Sequence, residues 1–267
     1  MNADQLFAAV RSYMSEQNPG HLQIPADWSQ GRTVFGGLSA SLAFVAIRTQ
    51  IPERVLRSFS CQFIGPLFTE TGFDIEVKVL REGKNATQAS ACILQNDQVV
   101  VSCQACFGVP RTSAIEIQAQ DPHGMTLVEK PGVIPLIPGV TPDFIRHIDL
   151  HVVAGGFPFS GSRDSHTHGF MRLKEAPGIM TDAHVILLID AWPPTVMQQL
   201  RGPAPASTMT WQLDLIQEAV EMPVDGWLAY QVDARQAHNG YAHTEANIWD
   251  SDGRLLALSR QTVAVFD

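Results

Sequence analysis

The spacing of hydrophobic positions changes period several times along the chain, and each change marks an element. Residues 3 to 16 place Leu6, Phe7, Val10, Tyr13 and Met14 on one helical face, which predicts a short amphipathic opening helix. His21-Leu-Gln-Ile-Pro25 reads as a short strand, followed by Trp28-Ser-Gln-Gly-Arg-Thr-Val-Phe-Gly-Gly37. From Leu38 to Arg48 the residues are mostly Ala, Leu, Ser, Val and Ile, giving a helix apolar on nearly every side and therefore buried. Gly36 and Gly37 stand where it begins, which suggests close backbone approach and amides pointing at something. The period then falls to two, and strands are expected over 57–65, 73–80, 87–94 and 99–107, with turns at 81–85 and at Asn96-Asp97.

Between Pro110 and about Asp143 the text becomes irregular. Pro122, Pro131, Pro135, Pro138 and Pro142 with several glycines mark a linker, and one this long is expected between two units rather than inside one. The chain therefore divides into residues 1–110, a linker 111–143, and residues 144–267. The second unit opens with strands over 146–153 and 167–174 around a loop at 157–164. It continues with a helix and with strands over 207–216, 227–234, 241–249 and 255–265, the last two joined by an Asp250-Ser-Asp-Gly253 turn.

The helix of this unit lies in Thr181-Asp-Ala-His-Val-Ile-Leu-Leu-Ile-Asp-Ala-Trp-Pro-Pro194. Thr181 is a plausible N-cap, the run after it is too continuously apolar for a surface helix, and Pro193 and Pro194 are expected to end it. One carboxylate, Asp190, sits inside. A charge there is costly unless something pairs with it or uses it, so Asp190 is either a functional group or a cap for the turn at the prolines.

The two units can be laid over each other. Ser58–Phe63 matches Thr208–Leu213 at an offset of 208 − 58 = 150, and Val101–Gln104 matches Leu258–Gln261 at 261 − 104 = 157. Repetition of one supersecondary unit in a single chain points to a fused pseudo-dimer with a continuous sheet.

Composition narrows the chemistry. A net charge of −9 from 18 basic and 27 acidic residues argues against nucleic acid as a partner. No apolar run reaches membrane-spanning length and no signal peptide is evident, so a cytoplasmic protein is expected. Cys61, Cys92, Cys103 and Cys106 read as free thiols; Cys103 and Cys106 have C-x-x-C spacing but would face opposite sides of a strand. His147, His151, His166 and His168 read as exposed or satisfied histidines rather than metal ligands. Gly161-Ser162 does not fit a nucleophile elbow, and no phosphate loop or dinucleotide fingerprint is present.

Trp28-(x)2-Gly31-Arg-Thr-Val-Phe-Gly-Gly37, Val79-Leu-Arg-Glu-Gly-Lys-Asn85, and Gln95-(x)10-Ala-Cys-Phe107 in the first half, with Leu188-Ile-Asp190, Ser207-Thr208 and residues 252–261 in the second, resemble in order and spacing the motifs of the acyl-CoA thioesterase II family. The resemblance covers most of the chain outside the opening helix and the linker. It implies an α+β tandem double hotdog, in which each repeat is a long buried helix wrapped by a curved antiparallel sheet. It also implies hydrolysis of an acyl-CoA thioester by an activated water, with no metal or organic cofactor, because CoA enters as part of the substrate. The family's catalytic Asp, Thr (or Ser) and Gln fall on Asp190, Thr208 and Gln261, with Ser207 and Thr210 close to Thr208 on a strand where a one-residue slip flips the face. Helix physics together with the resemblance adds the amides of Gly36 and Gly37 as donors to the thioester carbonyl, against a reading in which the glycines serve only packing. The first buried helix has no carboxylate, so one site per chain is expected. Asp190 lacks a histidine five residues later, and the hydratase pattern of related hotdog enzymes fails. A homodimer or larger assembly is expected. The alternatives are a non-catalytic binder of acyl-CoA or an acyl carrier, and a thioesterase for a non-CoA or aromatic acyl group, for which Trp192 and Trp211 would serve.

Overall fold

The period-two segments pair into one sheet. The structure, a computed structural model, describes residues 1–16, 22–119, 121–130, 132–217 and 222–266. In the first half α1 (Ala3–Glu16) is followed by a small hairpin, β1 (Ser29–Gln30) and β2 (Thr33–Val34), then by α2 (Gly36–Gln50) and the strands β3 (Val55–Phe63), β4 (Asp74–Glu82), β5 (Ala86–Gln95) and β6 (Gln98–Gly108). The second half holds β7 (Ile148–Gly155), β8 (His166–Leu173), α3 (Asp182–Ile189), β9 (Ala206–Leu215), β10 (Leu228–His238), β11 (Tyr241–Trp249) and β12 (Leu255–Val265). Ten strands form a continuous antiparallel sheet in the order β4-β5-β6-β3-β9-β12-β11-β10-β8-β7. Within each half the last three strands form a meander, and the strand after the helix closes on the final one.

The two halves meet where β3 pairs with β9, with Cys61 directly opposite Trp211. Because 211 − 61 = 150, each of these residues is the repeat equivalent of the other, and a pseudo-two-fold axis passes between them. The same ladder corrects the second overlay. Cys61 lies opposite Cys103 on β6, and Trp211 lies opposite Gln261 on β12. Cys103, not Gln104, is therefore the equivalent of Gln261, at 261 − 103 = 158. A one-residue slip exchanges the faces of a strand, and the burial shows it: Gln104 is exposed, whereas Cys103 is buried on the helix side. The short strand expected at 21–25 shrinks to one bridge, Leu22 with Phe73; His21 lies outside the described residues.

α2 and α3 pack against each other on one face of the sheet, and every residue from Gly37 to Ile47 and from Ala183 to Ile189 is buried. α1 lays Leu6, Phe7 and Val10 onto this core. α3 starts with the expected cap: Thr181 and His184 form a reciprocal capping box, and the other ring nitrogen of His184 bonds Asp4 of α1 at 3.0 Å. α3 ends at Ile189, three residues before Pro193 would require, and Asp190 is its C-cap residue. No helix among the described residues is long and apolar enough to cross a membrane.

The segment 111–142 carries no strand or helix among its described residues, in keeping with its prolines, but it does not hang free. Alternation along β8 sends Met171 toward the helices and Phe170 to the opposite face, and both are buried. Met125 and Leu127 of this segment cover Phe170, Ala229 and Trp249 there. The backbone carbonyls of Asp121 and His123 accept hydrogen bonds from the Trp249 indole and the Gln231 amide.

Arg48, at the end of α2, ties the halves together. It bonds Asp182 of α3 at 2.7 Å, donates to the carbonyls of Ile51 and Arg54, and lies over the rings of Phe44 and Phe107. Arg48→Ala leaves Asp182 and two carbonyls without this donor, so it is expected to destabilise the fold by about 2–3 kcal/mol. Urea unfolding measures this, and a loss below about 0.5 kcal/mol would show that the cluster is not structural.

Candidate active site

α2 begins without the usual polar cap. Phe35 occupies the N-cap position, contributes no side-chain hydrogen bond, and stacks on Phe144 at 4.1 Å. The first amides of a helix need acceptors, and its N-terminus carries positive potential. Here the acceptor comes from the other half of the molecule: the Asp190 carboxylate takes a hydrogen bond from the Gly37 amide. Gln261 of β12 donates a second from its side-chain amide to Asp190 Oδ1 at 2.7 Å. The carboxylate can only accept, so Gln261 must turn its amide nitrogen inward, which leaves its own oxygen as an acceptor.

Both glycines are required by space. A Cβ on Gly36 would stand 2.6 Å from Asp190 Oδ2, and one on Gly37 would stand 2.5 Å from the Leu187 carbonyl oxygen and 2.5 Å from the Phe35 ring. The packing role of this pair is therefore visible. The Gly37 amide, expected to be a donor for a substrate oxygen, is committed to Asp190. The Gly36 amide has no backbone acceptor among the described residues.

Desolvation is the dominant influence on Asp190 and pushes it up to about 7, against the opposing pull of the Gln261 and Gly37 hydrogen bonds. A carboxylate with that value is half in its basic form at neutral pH, suited to taking a proton from water.

Thr208 lies on β9, half-buried on the helix side, opposite Val263. A bulge at Met209 puts Thr208 on the same face as Trp211 and leaves Ser207 and Thr210 exposed. Thr208 makes no hydrogen bond to Asp190 or Gln261 among the described residues. The structure thus brings together Asp190, Gln261, Gly36 and Gly37, and places Thr208 three residues before Trp211, Gln261's register partner, without joining it to them. Trp211 is wholly buried, with its indole on Ser259 at 2.9 Å, and is a core residue rather than an acyl wall. Trp192 sits two residues beyond Asp190 and stacks on Tyr230 at 5.5 Å. Tyr230 was not singled out from sequence; its signal is a polar-tipped ring among the inward positions 228, 230 and 232 of β10.

Cys61 and Cys103 lie beneath the site as free thiols, and burial raises Cys61 well above the usual thiol range. His147 and His151 do not converge: His147 precedes β7, stacks on Trp28 at 3.9 Å and bonds Asp27, while His151 stacks on Phe170 and bonds the Gly132 carbonyl.

Comparison with known proteins matches residues 24–108 to the acyl-CoA thioesterase N-terminal domain and residues 120–265 to the acyl-CoA thioesterase C-terminal domain. No curated protein matches the chain. Among solved structures, a conserved protein of unknown function with a hotdog fold from Alicyclobacillus acidocaldarius is 23% identical, covers 92% of each chain and has a TM-score of 0.78. A tesB protein from Mycobacterium avium subs paratuberculosis is 14% identical, covers 92% of this chain and 91% of its own, and has a TM-score of 0.72. A conserved hypothetical protein from Mycobacterium tuberculosis, described as a double hotdog, is 14% identical, covers 97% and 92%, and has a TM-score of 0.55. At these identities the structural likenesses speak for the hotdog fold.

Proposed function

Because the chain belongs to the acyl-CoA thioesterase family, we propose that it hydrolyses an acyl-CoA thioester to the free acid and CoA, with Asp190 as general base. The observation that carries this reading is the desolvated Asp190 carboxylate, held between the Gly37 amide of one half and the Gln261 side chain of the other. Asp190 takes a proton from a water held against the free oxygen of Gln261, with Thr208 as a second hydrogen-bonding group for that water. The water oxygen bonds to the acyl carbon and the carbonyl electron pair moves onto oxygen, where the Gly36 amide can meet it. When the C–S bond breaks, the electron pair leaves on sulfur and Asp190 returns the proton to it. No metal or organic cofactor enters this scheme. The cytoplasmic setting and the homodimer or larger assembly belong to the same reading.

The test is release of free thiol from acyl-CoAs of short, long and aromatic acyl groups. Turnover on one or more supports hydrolysis; saturable binding with no turnover on any would favour a non-catalytic binder instead.

Gln261→Leu provides a more specific check. The Gln261 amide stabilises the charged form of Asp190, so removing it raises the carboxyl further. The acid limb of kcat/KM against pH, expected near 7, should move to higher pH, and neutral turnover should fall by about 10²-fold. An unmoved limb would show that Gln261 does not act on the base.

A further inference from the structure

We propose that the Tyr230 hydroxyl is a hydrogen-bond donor to the thioester carbonyl oxygen of the bound substrate. This rests on the hydrolytic reading above and adds a residue to it.

Tyr230 is only 7% exposed, and its hydroxyl makes no hydrogen bond to another group among the described residues, yet it is not one of the sealed-off unpartnered atoms, so its tip is open to an incoming acceptor. Buried tyrosines ordinarily find a partner for that group. The ring itself is fixed from several sides. On β10 it points to the helix side with Leu228 and Val232, and its face stacks on Trp192 at 9° between planes. Trp192 is in turn held by its indole on Met171 Sδ at 3.3 Å. It fills the space over Gly169, where a Cβ would come within 2.5 Å of the indole ring. Gly169 is the β8 residue opposite Tyr230. A donor built into such a wall has little freedom left to lose on binding.

The wall belongs to the Asp190 site. Trp192 follows Asp190 by two residues, and the Asp190 charge reaches the Tyr230 hydroxyl. Burial, with that charge second, raises the phenol above its ordinary value, so it stays protonated and can donate. The site also needs a donor. Attack of water on the thioester carbon moves an electron pair onto the carbonyl oxygen, and the Gly37 amide, which α2 would otherwise offer to it, is bonded to Asp190. The Tyr230 hydroxyl and the Gly36 amide remain. The hydroxyl keeps its proton throughout: it stabilises the oxyanion and takes no part in the transfer between water, Asp190 and the departing CoA sulfur.

Tyr230→Phe keeps the ring stack and deletes only the donor. Loss of one such donor lowers kcat by about 10²-fold. The expected result is a kcat loss of that order with KM within a few-fold, a melting midpoint near that of wild type, and an acid limb at the wild-type pH. The second readout is infrared difference spectroscopy with a 13C-carbonyl acyl-CoA bound to Asp190→Asn, with and without Tyr230→Phe. The carbonyl stretch should return toward its solution frequency when the hydroxyl is removed. A Tyr230→Phe protein with wild-type kcat, or a bound stretch that Tyr230→Phe does not move, overturns the inference. A wild-type chain that turns over no acyl-CoA overturns the hydrolytic reading instead, and the infrared comparison still decides whether Tyr230 touches the carbonyl.

Discussion

Asp190→Asn is expected to lower acyl-CoA turnover by about 10²–10⁴-fold and, at the same time, to make the fold more stable at pH 8. The first effect follows from removing the base. The second follows from where the base sits. Folded Asp190 titrates at about 7, whereas in the unfolded chain it is an ordinary aspartate near ~3.9. Below about pH 4 both states hold the proton and the residue costs nothing. Between ~4 and 7 the folded state holds a proton that the unfolded state has lost, so stability falls as pH rises. Above 7 the loss is constant, at most about 4 kcal/mol for a shift of roughly three units. Asparagine is neutral throughout. It gives back about 2 kcal/mol of that gain by turning an amide toward one of the two donors. The variant should therefore melt about 4–8 °C above wild type at pH 8 and by a comparable amount below it at pH 4. Calorimetry at both pH values, beside thiol release, measures the pair of effects. Wild-type turnover in Asp190→Asn would show that another group is the base, and equal melting at pH 8 would show that the carboxylate is not desolvated.

The next largest effect is expected at the neighbouring glycines, and the two should differ in kind. In Gly37→Ala the new methyl meets a backbone atom, the Leu187 carbonyl oxygen, and the Phe35 ring, both at 2.5 Å. Neither can yield while α2 stays seated on α3. The helices must part, at a cost of about 3 kcal/mol or more, and the amide that holds Asp190 moves with them. In Gly36→Ala the obstacle is Asp190 Oδ2 at 2.6 Å, with the Phe63 ring at 3.2 Å. A carboxylate can swing aside, so most of the stability survives while the base leaves its place, and about 10²-fold in turnover goes with it. Urea unfolding with thiol release on both variants separates the two. A fully active Gly36→Ala chain would refute the placement of the carboxylate against this helix end.

Much of this was legible in the sequence because it rests on local periodicity. Residues 241–249 and 255–265 were read with the limits that β11 and β12 have, and both buried helices announced themselves by lacking a polar face. Asp190 stood out as one carboxylate in an apolar run. What escaped reading is non-local. The contacts of residues 121–134 run partly through backbone carbonyls, which leave no mark on side-chain composition, so a segment full of prolines gave no sign that it covers the back of β8, β10 and β11. Matching Gln104 to Gln261 failed because similar letters one residue apart face opposite sides, and only the ladder fixes the register. Tyr230 went unnoticed because an inward aromatic on a strand looks like core until its unpaired hydroxyl is seen.

The Gly37–Asp190 contact has a consequence for biogenesis. Its partners lie 190 − 37 = 153 residues apart, and the β3–β9 seam that aligns them spans a comparable length of chain. Contacts of such long sequence separation are slow to form, because the intervening loop must be closed before they repay it. During synthesis the first half can complete its own four strands while α2 still lacks its acceptor. The chain is therefore expected to emerge from the ribosome inert, and to gain its activity in one late step, when the second half docks and a single carboxylate both finishes the older helix and arms the site.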